Sequence, residues 1–189
     1  MKLGKTLHVE DREAWRAWLS RHHGTEKEIW LIYYKKASGK PRIPYNDAVE
    51  EALCFGWIDS TVKRVDGERT AQRFSQRRRG SQLSQANKER IRKLVLGKRM
   101  TPAGLAAVSH AYNPKSDHDG FVIPKGILSA IMKNAAAWKH FQKLPPAYMR
   151  TRVAYIQDRR RWGEREYRKS LANFISMTAK NKRFGFIRE

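Results

Sequence analysis

The sequence predicts an α+β fold: a small mixed sheet with helices in the N-terminal region, followed by a small all-helical C-terminal region. Three observations carry this. Glu28 to Lys36 alternates with apolar residues on both faces, the pattern of a central strand. Trp57 to Val65 alternates as well and runs into Asp66-Gly67, a hairpin signal. From Pro124 to about Ala179 the apolar residues recur at helical spacing with no strand pattern. The domain expectation is a mixed core over residues 1–112, a linker over 113–123 and a basic helical region over 124–189.

Thr6 to Val9 reads as a short strand. Asp11 is placed to cap a helix that carries Trp15, Trp18 and Leu19 at i, i+3 and i+4, with Gly24 closing it. In the next strand Ile29, Leu31 and Tyr33 face one way and Trp30, Ile32 and Tyr34 the other, so cover is expected on both sides. Pro41 and Pro44 mark a loop. Asn46 then caps a helix through Leu53, which Gly56 ends. A two-residue turn at Asp66-Gly67 sets Arg64 opposite Arg69 and Ser60 opposite Arg73. Like charges opposed in a sheet cost stability unless an anion lies between them.

Arg77-Arg78-Arg79-Gly80 is a loop, and Ser84 or Ser81 caps the following helix, which turns Ile91, Leu94 and Val95 inward and stops at Gly97. Thr101-Pro102 opens another helix with proline in its first turn. Asn113 to Gly120 has the composition of a linker. Beyond it three or four short helices are expected, with Leu128, Ile131 and Met132 as one apolar stripe and Leu171, Phe174, Ile175 and Thr178 as another. Pro145-Pro146 separates two of them.

The chain has 189 residues, of which 40% are hydrophobic and 11% aromatic, so it can build a packed core. Met1 to Lys5 runs into His8, Glu10 and Asp11 without an apolar stretch, and no segment is long and apolar enough to span a bilayer. The single cysteine, Cys54, excludes an intrachain disulfide and any multi-cysteine metal site. A cytoplasmic protein without cofactor or metal is the expectation.

Charge is the strongest compositional signal, at a formal +22. Residues 63–99 carry 13 basic and 3 acidic side chains, and residues 139–189 carry 14 and 4. Each segment has a net charge of +10, so 20 of the 22 charges lie in these two stretches. Self-repulsion opposes such concentration, which points to a bipartite anion-binding surface. Its first part comprises the hairpin arginines Arg64, Arg69 and Arg73 and the loop arginines Arg77, Arg78 and Arg79. Ser84 and Asn87 stand beside them at a helix start, where backbone amides can receive a phosphate. Its second part is Arg159, Arg160 and Arg161 with Arg165 and Arg168, next to Trp162, whose ring can stack on a base.

Other chemistry-bearing residues read more simply. Cys54 sits late in an apolar helix with no nearby His, as a buried small hydrophobe rather than a nucleophile. Asp59 reads as a structural partner of an arginine, with a general base as the alternative. Ser116-Asp117-His118-Asp119-Gly120 reads as linker rather than metal loop, because a metal needs three or four convergent ligands. His22-His23 completes a helix end.

The runs Ala52-Leu53-Cys54-Phe55-Gly56-Trp57-Ile58-Asp59, Trp15-Arg16-Ala17-Trp18-Leu19, Ile29-Trp30-Leu31 and Gly97-Lys98-Arg99-Met100-Thr101-Pro102-Ala103-Gly104-Leu105 resemble the YdeI/OmpD-associated (bacteriocin-protection) family over almost the whole chain. The resemblance implies a mixed N-terminal region, a small helical C-terminal region and a link to resistance against antimicrobial peptides. Two departures stand out: Leu83 replaces a usual Trp before Ser84, and Arg159-Arg160 replaces part of the C-terminal pattern that Arg165 and Arg168 retain.

The function expected from the residues is non-enzymatic binding of a polyanion, DNA or RNA foremost. Two alternatives stay open. One is an enzyme or sensor for a phosphorylated or carboxylated small molecule, in a pocket containing Trp57, Asp59 and Gln72. The other is a stress or bacteriocin-resistance factor acting through a protein partner.

Overall fold

The computed structural model describes residues 3–113 and 121–185. Most of the predicted linker, with the Ser116–Gly120 loop, lies outside the described residues. The fold is α+β, and the chain divides into two compact units: Met1–Leu83 with Arg90–Pro114, and Ser84–Glu89 with Lys115–Glu189.

The first unit holds a four-stranded sheet of order β1-β2-β4-β3, built from β1 (Thr6–Leu7), β2 (Glu28–Tyr34), β3 (Trp57–Arg64) and β4 (Arg69–Gln76). β1 runs parallel to β2, and the other neighbours are antiparallel. One sheet face presents Ile29, Leu31, Tyr33 and Phe74 to a core shared with α1 (Arg12–His22) and α2 (Tyr45–Cys54). On the other face Trp30 is also fully buried. Its cover includes charged side chains of the sheet and the backbone at Gly4. The Lys63 ammonium sits 5.0 Å from the ring centre. The indole Nε1 donates to Glu28 (3.3 Å), whose carboxylate is itself held by Arg73.

The Asp11 cap is present, its carboxylate accepting from the Ala14 amide at 2.8 Å. Asn46 does not cap α2. Pro44 occupies that position, and the Asn46 side chain accepts from Arg90 instead. The hairpin also differs from the two-residue turn. Asp66 Oδ1 accepts from the amides of Glu68 (2.9 Å) and Arg69 (2.8 Å), while the Val65 amide donates to the Arg69 carbonyl. The turn therefore holds Asp66, Gly67 and Glu68, and the register shifts by one residue: Arg64 pairs with Thr70, not Arg69. An irregularity between Asp59 and Val62 restores the expected register at Asp59 and Phe74.

α3 (Gln85–Leu96) adds Ile91 and Leu94 to the first core, and Ser84 Oγ accepts from the Asn87 amide as a capping side chain does. Its end uses Lys98, at φ 53°, as the left-handed residue where Gly97 was expected. α4 (Pro102–Val108) begins at Thr101, whose hydroxyl accepts from the Gly104 amide.

The end of α2 packs closely on α4. The Thr101 amide and hydroxyl both donate to the Cys54 carbonyl, at 3.1 and 2.5 Å. A Cβ on Gly104 would stand 2.1 Å from that same oxygen. Gly56, at φ +76°, turns the chain out of α2 where a Cβ would stand 2.8 Å from Ala107.

The second unit contains α5 (Lys125–Met132), α6 (Ala135–Phe141), α7 (Pro146–Asp158), a 3-10 turn (Arg159–Trp162) and α8 (Glu164–Ala179). Its core is Ile127, Ile131, Ala137, Phe141, Tyr148, Val153, Ile156, Tyr167 and Phe174. The first apolar stripe is therefore rotated from the expected one: Ile127 is buried and Met132 is 53% exposed. The second stripe keeps its register, with Phe174 and Thr178 buried. Glu89, in the N-terminal half of α3, receives both Nε and Nη2 of Arg150, at 2.6 and 2.8 Å.

Gly104→Ala is expected to destabilise the chain by about 3 kcal/mol or more, because the added methyl meets backbone that cannot move aside. Gly126→Ala, in open space on α5, should change stability by no more than about 1 kcal/mol and in the favourable direction. Denaturant unfolding of the two variants beside the wild type checks both, and equal behaviour would contradict the close α2–α4 approach.

Candidate nucleic-acid interface

The arginines nominated from sequence divide by what holds them. Arg69 pairs with Asp66 at 2.6 Å, and this hydrogen bond lowers the Asp66 carboxyl below its ordinary range. Arg73 clasps Glu28 with Nε and Nη2 and reaches Ser60 Oγ at 3.3 Å, and its hydrogen bonds lower the Glu28 carboxyl. Asp66 in the turn and Glu28 on β2 neutralise these two guanidinium groups, and the register shift removes the expected opposition of Arg64 to Arg69. Arg64 is exposed, its Nε donating to the Asp66 carbonyl.

In the loop Arg77 turns back onto the chain. Its Nη2 donates to the carbonyls of Ser81 (3.1 Å) and Gln82 (2.7 Å), and burial lowers its pKa. Arg77 therefore shapes the loop, while Arg78 and Arg79 extend exposed from it. The sequence does not distinguish the three; only the fold separates the one that bonds inward.

In the second unit the Arg159–Trp162 turn follows α7 directly. Trp162 is 74% exposed and lines a shallow open depression with Asp158 and Arg161. Arg159 lies over the Tyr155 ring at 4.4 Å and donates to its hydroxyl. Arg160 lies over Tyr167 at 3.8 Å and sits 3.6 Å from Glu164. Arg161 approaches Asp158 at 3.6 Å, and Arg168 donates to Glu164 at 3.0 Å. Arg165 is exposed. Exposed pairs at such distances are weak and screened by salt, so they leave these cations available to a stronger anion. The stretch 158–169 still carries six basic against three acidic side chains.

The alternative pocket is only partly assembled. Trp57 is fully buried under α1, its Nε1 donating to the His23 carbonyl at 3.0 Å. Asp59 and Gln72 do meet, at 3.4 Å, and Asp59 also accepts from the Tyr45 hydroxyl at 2.7 Å rather than pairing with an arginine. The Tyr33 hydroxyl lies near them, buried and without a hydrogen-bond partner among the described residues. Burial raises both tyrosine pKa values, and the Asp59 charge raises them further. Tyr33 and Tyr45 were missed from sequence because strand alternation and loop composition account for them without any polar role.

Cys54 is fully buried, and burial pushes its thiol up to about 11 with the Glu51 charge adding to the rise. Among the described residues no group of three or more His, Cys, Asp or Glu side chains converges as a metal would require, and no helix is long and apolar enough to cross a membrane.

Fold and surfaces together define a small basic α+β protein with exposed arginine-rich segments. A family model, Domain of unknown function (DUF8412), matches residues 7–107, and the chain belongs to that family. No curated protein and no solved structure matches it. The matched span runs from β1 into α4, so the Arg159–Trp162 turn lies beyond it.

Native Cys54 is expected to resist alkylation at neutral pH, and Cys54→Ala to cost on the order of 1 kcal/mol. A thiol raised from 9.0 to about 11 favours the folded state fully below pH 9.0 and loses that contribution as pH rises through about 11. Cys54→Ala should therefore show a smaller alkaline loss of stability than the wild type. Rapid native-state modification at pH 7 would contradict the structural assignment.

Proposed function

We propose that the chain binds a polyanion, nucleic acid foremost, through phosphate contacts and without chemistry of its own. The Arg159–Trp162 turn carries this reading. An indole 74% exposed is costly on a free surface and useful as a stacking platform, and the arginines around it are held ready by aromatic rings. Arg78 and Arg79 supply a second exposed pair in the first unit. Phosphate contacts of this kind give salt-sensitive binding with little sequence preference.

The Tyr33–Tyr45–Asp59–Gln72 cluster favours a small ligand as the second reading, since a buried hydroxyl without a partner is costly. The Asp59 carboxylate at its centre repels phosphate and carboxylate groups alike. The cluster is thus suited to a neutral or cationic ligand and does not compete for the polyanion.

Fluorescence anisotropy across a salt series tests the proposal. Arg78→Ala with Arg79→Ala should flatten the log–log slope on duplex DNA by up to about 2 units, at about 0.9 per phosphate contact. Replacing Arg159, Arg160 and Arg161 together should flatten it independently. Trp162→Ala should weaken a single strand by about 1–3 kcal/mol and a duplex much less, because only unpaired bases can stack on the indole. Absence of binding to either strand form at low salt would sink the proposal.

A further inference from the structure

Arg152, on the inner part of α7, is 8% exposed and forms no ion pair among the described residues. Its Nε is buried without a hydrogen-bond partner. The guanidinium is clamped between two rings, 4.0 Å from the Phe184 centroid and 4.9 Å from that of Tyr155. Gly185, at φ +98°, brings its backbone to the other side, where a Cβ would stand 3.1 Å from Nη1. Ring faces offset part of the cost of burying a cation, but they do not replace a counter-charge, and a buried guanidinium is ordinarily paired. Burial lowers its pKa, with only Tyr148 and Tyr155 opposing the shift. The carboxylates nearest in role are engaged elsewhere: Glu89 by Arg150, Asp158 by Arg161, Glu164 by Arg160 and Arg168.

A second cation stands two helical turns further along the same face. Arg159 lies over the Tyr155 ring that Arg152 also contacts, and it donates to the Tyr155 hydroxyl. That hydroxyl uses its oxygen as acceptor, so its own proton remains to be given away. Two guanidinium groups and one phenolic O–H thus surround a single ring. We propose that this face of α7 and the turn that follows it, carrying Arg152, Tyr155 and Arg159, is an oxyanion site that takes a phosphate group. A phosphate presents several acceptor oxygens, and guanidinium groups match them in pairs. The site stands independently of the polyanion reading, because one phosphate is enough to fill it.

Thermal unfolding of the full chain decides it, in chloride buffer and in low-millimolar inorganic phosphate or acetate at matched ionic strength. The wild type should gain Tm in phosphate over chloride and over acetate, as binding to the folded state alone requires. Arg152→Met should be more stable than the wild type in chloride, since it removes an uncompensated buried charge, and should lose the phosphate-specific gain. Arg159→Gln, at the surface end of the site, should keep the fold and lose most of the gain, and it decides the matter if Arg152→Met does not fold. A wild type indifferent to phosphate, an equal gain in acetate, or an undiminished gain in Arg159→Gln would overturn the site. A chain that binds strands without a phosphate-specific gain loses this site but not the polyanion reading, and the reverse result separates them equally.

Discussion

The buried carboxylate of Glu51 is the constraint on which the first unit depends. It is completely inaccessible and is held by three arginines: Arg12 Nε at 2.8 Å, Arg16 Nη1 at 2.6 Å and Arg99 Nη2 at 2.5 Å. Those cations come from α1 and from the segment before α4, so one side chain of α2 ties three parts of the chain together. Arg16 adds a bond to the Arg99 carbonyl at 3.1 Å, and Arg12 also holds Glu50. Burial opposes the charges of Arg12 and Arg16, yet the bonds to Glu50 and Glu51 outweigh it and raise both pKa values. Removing one partner from such a group costs about 3–5 kcal/mol, although replacing the whole group by packed apolar residues can be neutral. Its use is specificity: α1, α2 and the approach to α4 must dock together for the three arginines to reach the one carboxylate.

This explains why the run from Glu51 to Asp59 is so distinctive. Glu51 gathers arginines, the Cys54 carbonyl receives Thr101, Gly56 permits the approach of α4, and Trp57 bonds the His23 carbonyl. Asp59 then takes the Tyr45 hydroxyl. These partners lie between 14 and 51 residues away. The sequence marks the run as unusual, but it does not show that its role is architectural. Even the buried thiol fits this account, since its surroundings suppress the thiolate that a nucleophile would need.

Legibility follows distance along the chain. The Asp11 and Thr101-Pro102 helix starts were readable because cap and capped amide are three residues apart. The β2 and β3 strands were readable from alternation. The hairpin register was not, because Asp66 binds two amides with one oxygen and so enlarges the turn by one residue. Whether a given arginine is spent internally or left exposed was also hidden. Arg73 meets Glu28 across 45 positions and Arg150 meets Glu89 across 61. Composition reveals the excess of 40 basic over 18 acidic residues, which no arrangement of internal pairs can absorb, but not which cations remain.

Glu51 and Arg152, both buried among the described residues, make the most informative contrast. Glu51 has more partners than a single carboxylate needs for neutrality, whereas Arg152 has none among the described residues. Folding tolerates the first because its network is closed within the unit. It tolerates the second only through ring faces, which soften the loss of water without cancelling the charge. A fold able to place three arginines on one carboxylate can compensate a buried ion internally. At Arg152, beside the basic turn of Arg159 to Trp162, the proposed oxyanion would supply the counter-charge that the described residues do not.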